Sequence, residues 1–226
     1  MEGSIQELSP RISDCLKVIY TMQERGQKVS TSAVSERLGV SDATVTMLFK
    51  DFAAAGWVEH IPYRGVHLTP LGERKAMEVI RHHRLLELYL ARKLGYSWDK
   101  VHEEADKLEH VISEEFEDKI DSLLGYPTVD PHGDPIPSKD GTVSARPGHT
   151  LLELPQGQSA CILRVSDQDA EKLRYLGSLG LYPNVTIQLI ERAPFDGPLR
   201  LLIGEAPDQV EHQVGAALAE HIIVSS

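Results

Sequence analysis

The chain has 226 residues, 41% apolar and 25% charged, with 34 acidic against 23 basic side chains and a formal net charge of −11. That length supports one large domain or two to three small ones with real cores, and the apolar share excludes a disordered chain. No apolar run approaches the ~20 residues that span a bilayer. The opening MEGSIQELSPRISD lacks the basic start and apolar stretch of a secretory signal. Two distant cysteines, Cys15 and Cys161, exclude a disulfide framework and point to a reducing cytoplasm. The net charge argues against a generally basic nucleic-acid binder, but it is uneven: residues 1–75 are neutral, 76–140 carry −7 and 141–226 carry −4. The acidic middle also holds His82, His83, His102 and His110. Carboxylates mixed with imidazoles suggest bound divalent cations that offset part of the excess.

In chain order, Arg11–Glu24 carries Ile12, Leu16, Ile19 and Tyr20 at helical spacing, and Gly26 stops it. Ser30, Thr31 and Ser32 cap a helix through Leu38, with Ala33, Val34 and Leu38 on one face. Gly39 makes the turn, and Ser41 caps a helix over Asp42–Ala54 with Val45, Leu48, Phe49 and Phe52 inward. This is a helix-turn-helix pattern. WVEHIPYRGVHLTPLGE then alternates around Tyr63, Arg64 and Gly65, the pattern of a two-stranded wing. The spacing next predicts two long helices, Leu71–Leu94 and Lys100–Leu124, the second capped by Asp99. Leu85, Leu86, Leu88, Tyr89 and Leu90, with Val101, Leu108, Val111, Ile112, Phe116, Ile120 and Leu123, are more apolar surface than two helices bury alone. A dimer interface is therefore expected here. Gly125–Thr150, with five prolines and four glycines, reads as a linker or a long ordered loop. Ser159–Val165, Thr186–Glu191, Leu199–Ile203 and Ile222–Val224 read as strands, with a helix near Leu173–Leu179, which fits a small β-barrel.

The stretch from His102 to His110 carries the chemistry. On a continuous helix, His102, Asp106, Glu109 and His110 share one stripe about 100° wide. Two carboxylates and two imidazoles on one face suit a divalent transition metal. His83 and Glu87 form a second pair at i, i+4. Packed antiparallel, the two helices could bring His83, Glu87 and His102 onto one ion and leave Asp106, Glu109 and His110 for another. The competing reading is a solvated face of charged residues, the commoner fate of such spacing.

HHRLLELYL (82–90), KVHEEADKLEHVISEE (100–115), GDPIP (133–137) and LGLYP (179–183) resemble the metal-dependent regulators typified by the diphtheria toxin repressor and the manganese transport regulator, over essentially the whole chain. The resemblance implies an α+β multidomain fold. Its parts are an N-terminal winged helix-turn-helix DNA-binding domain over 1–75, an all-α dimerisation and metal-binding domain over 76–140, and a linker with a C-terminal SH3-like (FeoA-like) small β-barrel over 141–226. It places Asp14, Asp106, Glu109 and His110 on a primary metal site and His83, Glu87 and His102 on an ancillary one. Asp169 and Glu171 are the third-domain acids nearest the positions some members lend to the ancillary site. Iron-type members have Met and Cys where this chain has Asp14 and Asp106. The harder oxygen donors favour Mn²⁺, with Fe²⁺ second, and Zn²⁺, Co²⁺, Ni²⁺ or Cd²⁺ able to substitute in vitro. Manganese-type members often carry a glutamate where this chain has Lys17, which argues against their two-manganese cluster here. Cys15, ~100° around the helix from Asp14, reads as a core residue.

The expected function is metal-activated binding of a homodimer to double-stranded operator DNA, as a repressor of metal-uptake genes in the cytoplasm, with no membrane and no small-molecule substrate. Thr31, Ser41, Ala43, Thr44, Thr46, Met47, Lys50 and the wing residue Arg64 are the candidate DNA contacts. No catalytic residue is expected. The alternatives are a winged-helix regulator sensing a non-metal ligand, a metal buffer, and a metallohydrolase, against which no His-Glu-x-x-His occurs.

Overall fold

The computed structural model describes residues 9–61, 63, 65–144, 146–166 and 169–225. The chain folds as two compact units. The first comprises the residues up to His83 with Asp106–Leu123 and Pro137–Val143; the second comprises Arg84–Ala105, Leu124–Ile136 and the residues from Ser144 on.

The first unit opens with α1 (Pro10–Glu24), α2 (Thr31–Leu38) and α3 (Asp42–Ala54). Proline begins α1, where its missing N–H costs nothing. The Ser30 and Ser41 hydroxyls accept from the backbone N–H of Ala33 and Thr44 and so cap α2 and α3. Gly39 ends α2 in the left-handed conformation. The wing is β1 (Val58–Ile61) paired antiparallel with β2 (Gly65–Leu68). Gly65 has φ +92°, and a Cβ there would lie 1.9 Å from the Val29 carbonyl oxygen, so only glycine lets the wing approach the segment before α2. Leu16, Ile19, Val34, Val45, Phe52 and Val66 form the core, with Phe52 tilted against Trp57 at 5.5 Å. Complete burial of a side chain such as Phe52 stabilises by roughly 1.5–3 kcal/mol.

Helix α4 (Pro70–Leu94) carries Glu73 in its first turn and Arg92 and Lys93 in its last, each favoured by the helix dipole. The single helix expected over 100–124 is broken. The structure has α5 (Val101–Leu108) and α6 (Glu114–Leu124), joined through Glu109–Ser113. Ser113 starts the new helix: its hydroxyl accepts from the Phe116 N–H, and Glu114, Glu115 and Glu117 fill the first turn. Glu109, 1% exposed, is drawn inward by ion pairs described below. The leucines of α4 also depart from expectation. Leu85, Leu86, Leu88 and Leu90 are buried within the single chain, whereas Val111, Phe116 and Leu123 stand exposed.

In the second unit the 125–136 segment is an ordered loop. The Asp130 carboxylate accepts from the N–H of His132 and of Asp134, and the Val165 N–H donates to the His132 carbonyl. Gly133, at φ +88°, sits where a Cβ would lie 2.1 Å from the Leu163 carbonyl oxygen. Beyond it run β3 (His149–Thr150), β4 (Ser159–Val165), α7 (Ala170–Ser178), β5 (Thr186–Arg192), β6 (Leu199–Ile203), β7 (Val210–Val214), α8 (Ala216–Ala219) and β8 (Ile222–Val224). The strands form one antiparallel sheet in the order β3-β8-β4-β5-β6-β7 around Leu151, Ile162, Leu176, Leu189, Leu201 and Ile222. Sequence reading missed β3 and β7. The first is two residues long, and the second, VEHQV, buries only Val214. Among the described residues, no helix is long and apolar enough to cross a membrane.

Candidate metal centre

Helix α1 presents Asp14 and Lys17 one turn apart on one face. Opposite them stand Asp106 from the end of α5, and Glu109 and His110 from the turn that follows. His110 belongs to the turn after α5 and not to one continuous helix over 100–124. Its Nε2 lies 3.2 Å from Asp14 Oδ1 and 3.7 Å from Glu109 Oε1. Asp14, Glu109 and His110 each offer one ligand atom, all within 4.8 Å of one another. Lys17 Nζ donates to Asp106 Oδ1 at 2.8 Å and to Glu109 Oε1 at 2.9 Å. His83 Nδ1 pairs with Glu109 Oε2 and lies 3.3 Å from Asp106 Oδ1.

The electrostatics follow from this crowding. Burial raises the Asp14 pKa, with Glu109 and Asp106 adding to the rise against His110 and Lys17. Burial also works against ionising Glu109, but His83 and Lys17 outweigh it and hold that carboxyl below its ordinary range. A carboxyl kept from ionising by burial and like-charged neighbours is one that a bound cation would relieve. The donors are carboxylate oxygens and imidazole nitrogen, a hard set that fits Mn²⁺. Cys15 is fully buried and its thiol is pushed up to about 12, by burial first and by Asp14 second; it is a core residue.

The second unit holds another group. Glu87 of α4 meets Asp130 and His132 of the loop, all three buried, with ligand atoms within 4.8 Å. His132 Nδ1 is 3.7 Å from Glu87 Oε2, and His132 Nε2 is 2.8 Å from the Trp98 carbonyl oxygen. A carbonyl accepts only, so Nε2 carries a proton, and Nδ1 faces Glu87. Trp98 stacks on His132 at 5.5 Å and lies tilted against Tyr182 at 4.8 Å. Burial, then Glu87 and Asp134, push the Asp130 carboxyl up to about 8. Burial works to lower the His132 pKa, but Glu87 and Asp130 raise it to about 9. His102 Nδ1 lies 3.2 Å from Glu87 Oε1. Asp130 and His132 went unremarked in the sequence. The available signal was an acid and a histidine inside Asp130-Pro131-His132-Gly133, a loop fixed by proline and glycine.

A third group, His82 with Glu114 and Glu117, is an ion-pair network. His82 Nε2 is 2.5 Å from Glu117 Oε2, and Arg81 donates to Glu117 Oε1 and Asp121 Oδ2, each at 2.6 Å. A guanidinium so close already balances the acids. Asp169 and Glu171 belong to none of these three groups. Asp169 caps α7, its Oδ1 accepting from the N–H of Glu171 and of Lys172.

Of the candidate DNA contacts, Ser41, Ala43, Thr46, Met47 and Lys50 are exposed on α3, and Thr44 and Thr31 are half-buried. Thr44 and Ser41 share a hydroxyl hydrogen bond of 2.9 Å, and Thr46 donates to the Asp42 carbonyl. Arg64 lies outside the described residues.

Family models match along the chain. They are the iron dependent repressor N-terminal DNA binding domain over residues 7–66, the iron dependent repressor metal binding and dimerisation domain over 69–138, and the FeoA domain over 149–226. The diphtheria toxin repressor of Corynebacterium efficiens is 31% identical over 185 residues, 77% of this chain and 80% of that protein. The iron-dependent repressor IdeR of Mycobacterium leprae is 29% identical over 216 residues, 90% of this chain and 93% of that protein. Among solved structures, a manganese-dependent transcriptional repressor in complex with manganese is 41% identical with a TM-score of 0.87, covering 95% of this chain and 99% of that one. ScaR with bound Cd²⁺ is 30% identical with a TM-score of 0.80, covering 95% and 99%. With its winged helix, helical middle and FeoA barrel in this order, the chain belongs to the diphtheria toxin repressor family of metal-dependent, DNA-binding transcriptional repressors.

Proposed function

We propose that this protein represses metal-uptake genes in the cytoplasm as a homodimer on operator DNA, activated by Mn²⁺, with Fe²⁺ as the second choice. The proposed division is a DNA-binding domain over 1–75, a dimerisation and metal-binding domain over 76–140, and a linker with barrel over 141–226. Asp14, Asp106, Glu109 and His110 form the primary site. Glu87, Asp130 and His132, with His102 beside Glu87, form a second. His83 serves the first group, through Glu109. Thr31, Ser41, Ala43, Thr44, Thr46, Met47, Lys50 and Arg64 contact DNA, and Val111, Phe116 and Leu123 face the partner copy. The reading is of a regulator, not an enzyme.

One observation carries it: Asp14 of α1 meets Glu109 and His110, so the first helix of the DNA-reading fold and the turn after α5 share one group of ligand atoms. A divalent ion bound there supplies positive charge that offsets the crowded carboxylates. Asp14 then fixes α1, and α1 packs under the α2–α3 pair through Leu16 and Ile19. Metal occupancy would thereby bias which orientation of the recognition helices is populated, and the population of that orientation by operator binding would raise metal affinity by the same factor. The oxygen-rich donors, and the manganese named in the most similar structure described above, support Mn²⁺.

The test is operator binding by gel shift with chelator, and with Mn²⁺, Fe²⁺ and Zn²⁺ in turn. Wild type is expected to bind only with metal, and Asp106→Ala to lose at least tenfold in metal-dependent affinity. An Asp106→Ala chain that binds equally tightly with and without chelator overturns the reading.

A further inference from the structure

The wing is two strands of four residues each, and a two-stranded ribbon alone is marginally stable in water at best. At its base Thr69 holds it to the end of α3: the Thr69 N–H donates to the Trp57 carbonyl at 2.9 Å and its hydroxyl to the Gly56 carbonyl at 2.7 Å. Those bonds fix where the ribbon starts and leave its tilt about the base free. The outer edge of β2 removes that freedom. Along an antiparallel strand alternate N–H groups serve the partner, and the others point away from it. On β2 those others belong to Val66 and Leu68, and both are taken. Val66 donates to the Val29 carbonyl at 3.1 Å, and Leu68 donates to Gln23 Oε1 at 2.8 Å. The first acceptor is backbone, approached so closely that glycine must stand beside it at position 65. The second is a side chain from the last turn of α1.

We infer that Gln23 is a positioning residue for DNA binding: its amide oxygen fixes the tilt of the wing against α1 and so sets where the wing residue Arg64 meets the operator. The inference rests on the reading of Arg64 as a DNA contact given above. Gln23 acts through the Leu68 backbone, and because that partner is a donor, an acceptor oxygen is required. Glutamate supplies one at the same reach. Methionine keeps the length and the helix propensity and lacks the oxygen. The same helix carries Asp14, so the rod that offers a metal ligand at one end grips the wing at the other.

The experiment measures operator affinity of the full-length protein by fluorescence anisotropy with saturating Mn²⁺, in a cycle of two positions. Arg64→Ala is expected to weaken binding roughly fivefold in wild type and in Gln23→Glu, but by less than about twofold in Gln23→Met, whose wing has already left its place. Gln23→Met alone should lower the salt slope by about 1, as Arg64→Ala does, which a loss of fold stability alone would not do. An Arg64→Ala penalty as large in Gln23→Met as in wild type overturns the inference. No penalty in wild type shows instead that Arg64 makes no DNA contact, and the inference falls with that reading. Should Gln23→Met not fold, amide hydrogen exchange of the wild type decides. The Leu68 N–H is expected to be as protected as the His67 N–H, which faces β1; fast exchange at Leu68 overturns the inference.

Discussion

Arg81, His82 and Glu117 show what a buried charge requires in this chain. All three are under 9% exposed, and each has its charge answered: the guanidinium by Glu117 and Asp121, the imidazole by Glu117. Burial opposes a proton on His82, yet Glu117 outweighs it and raises the pKa above the ordinary 6.5. The stabilisation from this pair is therefore complete below about 6.5 and is lost as pH rises through the higher folded value. Burial likewise opposes ionised Glu117, but His82 and Arg81 hold it below the ordinary 4.5. Its contribution is present above about 4.5 and disappears as pH falls through the folded value. Urea unfolding of the metal-free chain across pH should show both limbs. Glu117→Gln should flatten them and lower stability by about 3 kcal/mol, the lower end for breaking a buried pair, since Asp121 still answers Arg81.

At the scale of elements, the helices that carry the DNA-reading surface were legible because their signals are local. Ser30, Gly39 and Ser41 set the ends of α2 and α3 within one turn of themselves. The break between α5 and α6 was not read, although Ser113 followed by three glutamates is a start signal of the same kind. The apolar stripe ran across it and hid it. Asp130 and His132 were illegible for a different reason: no periodicity links a loop to Glu87, more than forty residues earlier. The α3 surface supports one measurement. Lys50 is exposed on it, as a phosphate contact must be. Lys50→Ala should weaken binding about equally across operator sequences and reduce the salt slope by roughly 1, read by fluorescence anisotropy at several salt concentrations.

For the molecule as a whole, the leucines of α4 show how apolar excess misleads. Leu85, Leu86, Leu88 and Leu90 suggested a partner, yet the chain buries them itself. Among the described residues of α5, α6 and the turn between them, the exposed large apolar side chains are Val111 at 73%, Phe116 at 44% and Leu123 at 56% exposure. An isologous contact repeats each of these on both copies. Phe116→Asp with Leu123→Asp should yield monomers by analytical ultracentrifugation and abolish tight operator binding. Mn²⁺ binding at Asp14, Glu109 and His110 should survive.

The two tryptophans are divided between the units. Trp57 leans on Phe52 in the first, and Trp98 lies between His132 and Tyr182 in the second. The Trp98 carbonyl accepts the His132 Nε2–H hydrogen bond and the indole ring covers the imidazole face, so anything that changes His132 changes the surroundings of an indole. The protein thus carries its own optical gauge of the loop site. Ultraviolet emission, with Trp57 as an internal standard, can follow filling there separately from filling beside α1.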